Sequence, residues 1–162
     1  MIAVDREDIM ETRTSTCPVT PLVAVDGVVL CQHEATRWRS HWHVLLIKRL
    51  KPPFLGQWAF PGGFVDVGED IGAAVHREVE EETGLSGVHF QLFSAFGDPR
   101  RDPRGHTVSL VYVAEVEGCP PEVRGGDDAA EASWFSLDAL PELAFDHAEI
   151  LEQIMETRRL SL

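Results

Sequence analysis

The stretch GFVDVGEDIGAAVHREVEEETGL, residues 63–85, decides how the rest of the chain is read. Asp70 can accept hydrogen bonds from the first free N–H groups of a helix, Ile71 to Thr83 are good helix formers, and Gly84 supplies a left-handed stop. The prediction is a helix over 71–83. Advancing ~100° per residue from Ile71 gathers Ala74, Val75 and Val79 into an apolar stripe. Glu78, Glu81 and Glu82 fall on or beside that stripe, whereas Ala73, His76 and Glu80 fall opposite. Carboxylates at i, i+3 and i+4 repel one another, and burying even one unpaired carboxylate is costly. Arg77 neutralises part of this charge, but one guanidinium does not balance three carboxylates. Hard divalent cations do. Mg²⁺ takes oxygen ligands, keeps several waters and completes its octahedron with phosphate oxygens. A plain solvated charge run is the alternative.

Working outward, Gly62-Gly63 sits where a strand ends and a loop leads toward the helix, and the missing side chains let backbone approach a metal or phosphate closely. Gly68, ahead of Glu69, fits a simple turn equally well. N-terminal to this segment, VTPLVAV and VVL flank Asp26-Gly27 and read as a hairpin. CQHEATRWRSHW, residues 31–42, interrupts as a loop or substrate-side flap before HVLLIKRL resumes a strand. C-terminal to it, VHFQLFSAF, HTVSLVYVAEV and ASWFSL read as strands, and a last helix runs from about Asp146 to Arg158.

The chain has 162 residues, enough for one hydrophobic core and too few for two ordinary domains, so residues 18–162 are expected to form one domain behind a loose arm at 1–17. The 14 basic and 27 acidic residues give a net charge of −13, which repels nucleic acid and anionic membranes. A small phosphorylated ligand can still bind if cations or clustered arginines reverse the field locally. Cys17, Cys31 and Cys119 form no CxxC pair and suggest neither disulfides nor zinc. With no signal peptide and no apolar run long enough to span a bilayer, a cytoplasmic location is expected.

Gly63, Glu69, then Arg77-Glu78-Val79-Glu80-Glu81-Glu82-Thr83-Gly84-Leu85 resembles the Nudix box, GX5EX7REUXEEXGU, at every position. The resemblance implies the Nudix α/β/α sandwich, an α/β fold with a mixed central sheet between helices. It implies Mg²⁺-dependent hydrolysis of a nucleoside diphosphate derivative, Mn²⁺ serving in place of Mg²⁺. It makes Glu78, Glu81 and Glu82 catalytic, and together with the Gly62 carbonyl the metal ligands. Gly63, Glu69, Arg77 and Gly84 are then structural, Glu69 and Arg77 bracing the loop against the helix.

Because the box does not read the substrate, specificity is sought outside it. GDPRRDPRGHTVS, residues 97–109, GGDDA, residues 125–129, and LAFDH, residues 143–147, resemble segments of a group of ADP-ribose pyrophosphatases. That makes ADP-ribose the expected substrate, with AMP and ribose 5-phosphate as products. Arg100, Arg101 and Arg104 concentrate positive charge on one loop, where arginine can hold phosphate oxygens in bidentate fashion. Asp98 and Asp102 could instead occupy two of them. Asp127, Asp128 and Phe145 complete the expected substrate-binding set. Trp58 is a second candidate for stacking on adenine, or else core, and the roles of His106 and His147 stay open. Glu78, Asp127, Asp128 and Glu131 are the candidates to accept the proton of the attacking water. Three further readings remain: NADH, a dinucleoside polyphosphate, a nucleotide sugar or an oxidised nucleoside triphosphate as substrate; a non-catalytic ligand sensor; and an acidic protein that binds cations loosely. The chain ends soon after His147, which leaves no room for the DNA-binding module such sensors carry. A homodimer is the expected assembly.

Overall fold

The computed structural model describes residues 19–35, 39–118, 121–126 and 129–158. The expected arm at 1–17, Cys17, Cys119, Asp127 and Asp128 lie outside the described residues. In chain order the elements are β1 (Leu22–Ala35), β2 (Arg39–Arg49), β3 (Trp58–Ala59), β4 (Gly62–Phe64), α1 (Ile71–Thr83), β5 (Gln91–Phe96), β6 (Thr107–Glu117), β7 (Ala129–Ser136) and α2 (His147–Arg158).

The strands form one mixed sheet in the order β3-β2-β1-β6-β5, with β4 paired to β1 and β7 to β2. β6 runs parallel along one edge of β1, from Leu22↔Thr107 to Gln32↔Glu117. The other edge of β1 is divided. Its far half pairs antiparallel with β2 from Leu30↔Val44 onward, and its near half pairs with β4, Ala24↔Phe64 to Asp26↔Gly62. Where β1 and β2 separate, the segment from Trp58 to Phe64 fills the gap, β3 lying against β2 and β4 against β1. That wedge is where the site forms.

Alternate residues of the central strands face opposite layers, as the pleat requires. Val25, Val29, Leu45 and Ile47 pack with Ala74, Val75 and Val79 of α1, while Val28, Leu30, Val44 and Leu46 pack with Ile150, Leu151 and Ile154 of α2. Because both faces are covered, these strands read as continuous apolar runs and not as an alternating pattern. The result is an α/β/α sandwich. Helix α1 has the predicted bounds. Asp70 Oδ1 accepts from the N–H groups of Gly72 and Ala73 at 2.9 and 3.1 Å, and Gly84, at φ 71°, donates its N–H to Glu80 O at 2.8 Å.

Two expectations fail. Asp26-Gly27 is no turn: it lies inside β1, whose strand is unbroken from Leu22 to Ala35. Asp26 is buried there and accepts from the Ser109 hydroxyl, which replaces the water a turn aspartate would have. A Cβ on Gly27 would stand 2.6 Å from Val79 Cγ2, so the glycine lets α1 close onto the sheet. The polar interruption at 31–42 is mainly strand as well, since β1 and β2 stay in register from Cys31↔His43 to Ala35↔Arg39. A ladder of main-chain bonds needs no apolar side chains, and so the composition concealed it.

Candidate active site

The wedge brings bare backbone up to the acidic helix. Gly27 N–H donates to Pro61 O at 2.8 Å, and Gly62 N–H donates to Glu82 Oε2 at 2.9 Å. A Cβ on Gly62 would lie 2.2 Å from Val25 O, and one on Gly63 would lie 2.5 Å from Glu78 Oε1. Both glycines are therefore required by close approach, the first to the neighbouring strand and the second to a carboxylate. Glu82 is buried, Glu78 is half-buried, and the Glu81 side chain stands 60% exposed at the rim.

Arg77 is shared among several of these acids. It grips Glu69 through Nε and one terminal nitrogen at 2.7 and 2.9 Å, donates to Glu78 at 2.7 Å and reaches Glu81 at 3.3 Å. Its donation, joined by the Asp66 N–H, holds Glu69 down at about 2. Glu78 is displaced the other way: burial raises its pKa despite the hydrogen bond from Arg77. More carboxylate is gathered here than one guanidinium can neutralise, which suits a hard divalent cation. Among the described residues no three His, Cys, Asp or Glu side chains form a closed ligand shell. The donor set therefore fits an ion that completes its coordination with water and phosphate oxygens.

Glu78, Glu81 and Glu82 line one side of a cleft of roughly 540 Å³, with Gly62 and Gly63 at its base and Arg49, Lys51 and Arg104 across from them. A smaller recess adjoins it, lined by Arg49, Arg101, Arg104, Phe145 and His147. β3 delivers the last two of these residues, because Ala144 N–H donates to Trp58 O at 2.7 Å and sets the following turn over the recess. Phe145 at the turn has φ 55°, and its ring meets Phe54, itself at φ 62°, edge-on at 4.8 Å.

Residues 21–154 match the family model of the NUDIX domain. The chain belongs to the Nudix family. It is 45% identical, over 83% of its length and 73% of the relative's, to an ADP-ribose pyrophosphatase of Methanocaldococcus jannaschii. It is 31% identical to the ADPR responsive transcriptional repressor NtrR of Acinetobacter baylyi, covering 83% of this chain and 53% of that protein. Among solved structures, the NUDIX domain of Shewanella oneidensis NrtR in complex with ADP ribose superposes with a TM-score of 0.80 at 27% identity, covering 98% of this chain and 100% of that one. A MutT/nudix family protein of Enterococcus faecalis gives 0.76 at 32% identity, covering 86% of this chain and 62% of that one.

In this Nudix protein the three arginines of the 97–109 segment have separate fates. Arg100, 90% exposed, pairs with Asp98 and lines neither cavity. Arg101 is buried, doubly bonded to Asp146 at 2.9 and 2.7 Å, with Asp26 3.9 Å away. Arg104 faces the cleft, paired to Asp102 at 2.7 Å and lying 4.9 Å over the Phe64 ring. Burial opposes the Asp102 charge, but donation from Arg104 outweighs it and leaves that carboxyl below its usual range.

His147 Nδ1 accepts the Phe60 N–H at 3.0 Å, so its proton sits on Nε2, 3.7 Å from Asp26. Burial lowers its pKa and keeps it neutral. Trp58 packs edge-on against Phe135 at 4.6 Å, a core position. His106 reaches Gly97 O at 3.1 Å, and exposed Glu131 accepts from Ser133; neither lines the cleft. The sequence reading missed Asp26 and Arg49. Asp26 was hidden by its turn-like Asp-Gly context, and Arg49 by its place at the end of an apolar strand.

Proposed function

We propose that this Nudix protein hydrolyses the diphosphate of ADP-ribose, releasing AMP and ribose 5-phosphate. The observation that carries this reading is the 45% identity, over most of the chain, to an ADP-ribose pyrophosphatase. The geometry supports it, because a carboxylate-lined cleft opens directly onto an arginine and phenylalanine recess. Glu78, Glu81, Glu82 and the Gly62 carbonyl would hold Mg²⁺, or Mn²⁺ in its place. Such an ion, when bound, lowers the pKa of the attacking water and neutralises charge that develops on the phosphoryl oxygens.

The chain's own groups do the rest. Glu78 is the proton acceptor that the geometry favours, since burial moves its pKa toward the working range of a general base. Asp127, Asp128 and Glu131 are the competing candidates. Arg104 and Phe145 face the bound ligand, and Arg101 acts at one remove by fixing the Phe145 turn through Asp146. Arg100 belongs to the same loop and contributes long-range positive charge only.

Incubation with ADP-ribose and Mg²⁺, followed by chromatography, is expected to give AMP and ribose 5-phosphate in equal amounts. If ADP-ribose had no advantage over NADH, dinucleoside polyphosphates, nucleotide sugars and oxidised nucleoside triphosphates, the substrate assignment would be withdrawn. A sensor is the second reading, favoured by the likeness to the ADP-ribose-complexed NrtR domain. Tight ADP-ribose binding with no turnover in Mg²⁺ would establish it. The same proposal includes a homodimer, which light scattering on a sizing column would check.

A further inference from the structure

Each arginine lining the cleft or its recess can be asked which carboxylate balances it. Arg101 has Asp146 and Arg104 has Asp102, each by direct hydrogen bonds. Arg49, at the end of β2, is the exception. It lines both cavities, yet among the described residues no carboxylate lies within ion-pair distance of it. Its hydrogen bonds go to backbone only, from Nε to Pro53 O at 2.9 Å and from one terminal nitrogen to Lys51 O at 3.4 Å. Guanidinium has five N–H donors, so most remain for a ligand.

The setting is built to hold this cation still. Its plane lies 4.8 Å from the Phe145 ring, which Arg104 also approaches at 5.6 Å, and Phe145 is fixed against Phe54. Two guanidinium groups on one ring repel each other. Burial disfavours the charge of Arg49 and the nearby Arg104 disfavours it further, while Glu82, Asp102 and Asp26 act on it only at longer range. An anion between the two arginines would relieve that repulsion, and the cleft leads straight from there to the acidic helix.

We infer that Arg49 binds the diphosphate, taking oxygens of the phosphate that the acidic helix does not hold. One phosphate then answers to the carboxylate side of the cleft and the other to Arg49, so the site measures the length of a diphosphate and disfavours a monophosphate. The stacking on Phe145 presets the guanidinium plane for bidentate contact, which a lysine cannot reproduce. This inference rests on the proposed hydrolase reading for its substrate, but inorganic pyrophosphate tests it separately.

The experiment compares wild type with Arg49→Met and Arg49→Lys in saturating Mg²⁺. It reads KM and kcat for ADP-ribose, and the Kd of inorganic pyrophosphate by calorimetry. Loss of a charge-assisted contact predicts that Arg49→Met raises both KM and the pyrophosphate Kd by roughly ten- to a hundredfold, with a smaller change in kcat. Arg49→Lys should recover part of that loss. A pyrophosphate Kd within twofold of wild type in Arg49→Met would overturn the assignment, as would a lower Tm and kcat at unchanged KM. If Arg49→Met does not fold, Arg49→Gln is read against the same thresholds. Arg49-dependent pyrophosphate binding in a protein that leaves ADP-ribose intact would uphold Arg49 and reject the substrate. Efficient ADP-ribose cleavage indifferent to position 49 would do the reverse.

Discussion

Single atoms decide much at this site, and the clearest is one that is missing. A Cβ at position 63 would meet the Glu78 carboxylate at 2.5 Å, so Gly63→Ala must push that side chain away. Misplacement by about 1 Å can cost on the order of a hundredfold in rate. We expect kcat for Gly63→Ala to fall by about that factor while circular dichroism stays unchanged. Glu82→Gln tests charge without shape: its amide oxygen can still accept the Gly62 N–H, but a ligand charge is gone. Turnover should be abolished with Tm nearly kept, and wild-type rates in this variant would refute the metal assignment. Glu69 governs acid behaviour. Its carboxyl falls from 4.5 to about 2 in the fold, so its stabilising effect is full above about pH 4.5 and is lost as pH drops through about 2. Urea midpoints of wild type and Glu69→Gln should therefore differ most above pH 4.5 and converge in strong acid.

At the scale of elements, α1 is the piece whose construction is most local. Its N-cap, apolar stripe and left-handed stop lie within 15 residues of chain, 70–84, and the prediction from sequence needed nothing else. Asp70→Ala should cost about 1 kcal/mol and lower Tm by roughly 2–4 °C, read by calorimetry. Elements whose meaning depends on distant partners were less legible. Asp26-Gly27 has the chemistry of a turn, and only Ser109 and Val79, brought from far along the chain, turn it into a buried acid and a helix contact. The arginine loop was visible as charge, but the assignment of Arg101 to Asp146 and of Arg100 to solvent depends on how 97–106 folds back toward α2. Arg49 carried no local signal at all. Its importance comes from what it lacks, a carboxylate partner, and that can be judged only once the neighbouring side chains are placed.

For the whole molecule, the surplus of negative charge makes divalent cations a stabilising ligand as well as a catalytic one. At a Mg²⁺ concentration a hundred times its Kd, linkage adds about 2.7 kcal/mol. Differential scanning calorimetry should show Tm rising by several degrees over NaCl of equal ionic strength, and Glu82→Gln should erase most of the rise. Equal shifts with NaCl would reduce the effect to general screening. No helix among the described residues is long and apolar enough to cross a membrane.

The parallel seam between β1 and β6 has a temporal consequence. It joins Leu22 to Thr107 and Gln32 to Glu117, strands that begin and finish far apart along the polypeptide, and every residue between must be looped out before they meet. The helix bearing the glutamates is encoded within that loop and can coil early, but its docking face is completed only when the seam zips. After dilution from urea, helical signal should therefore recover ahead of enzymatic turnover, and turnover should return in step with burial of the sheet.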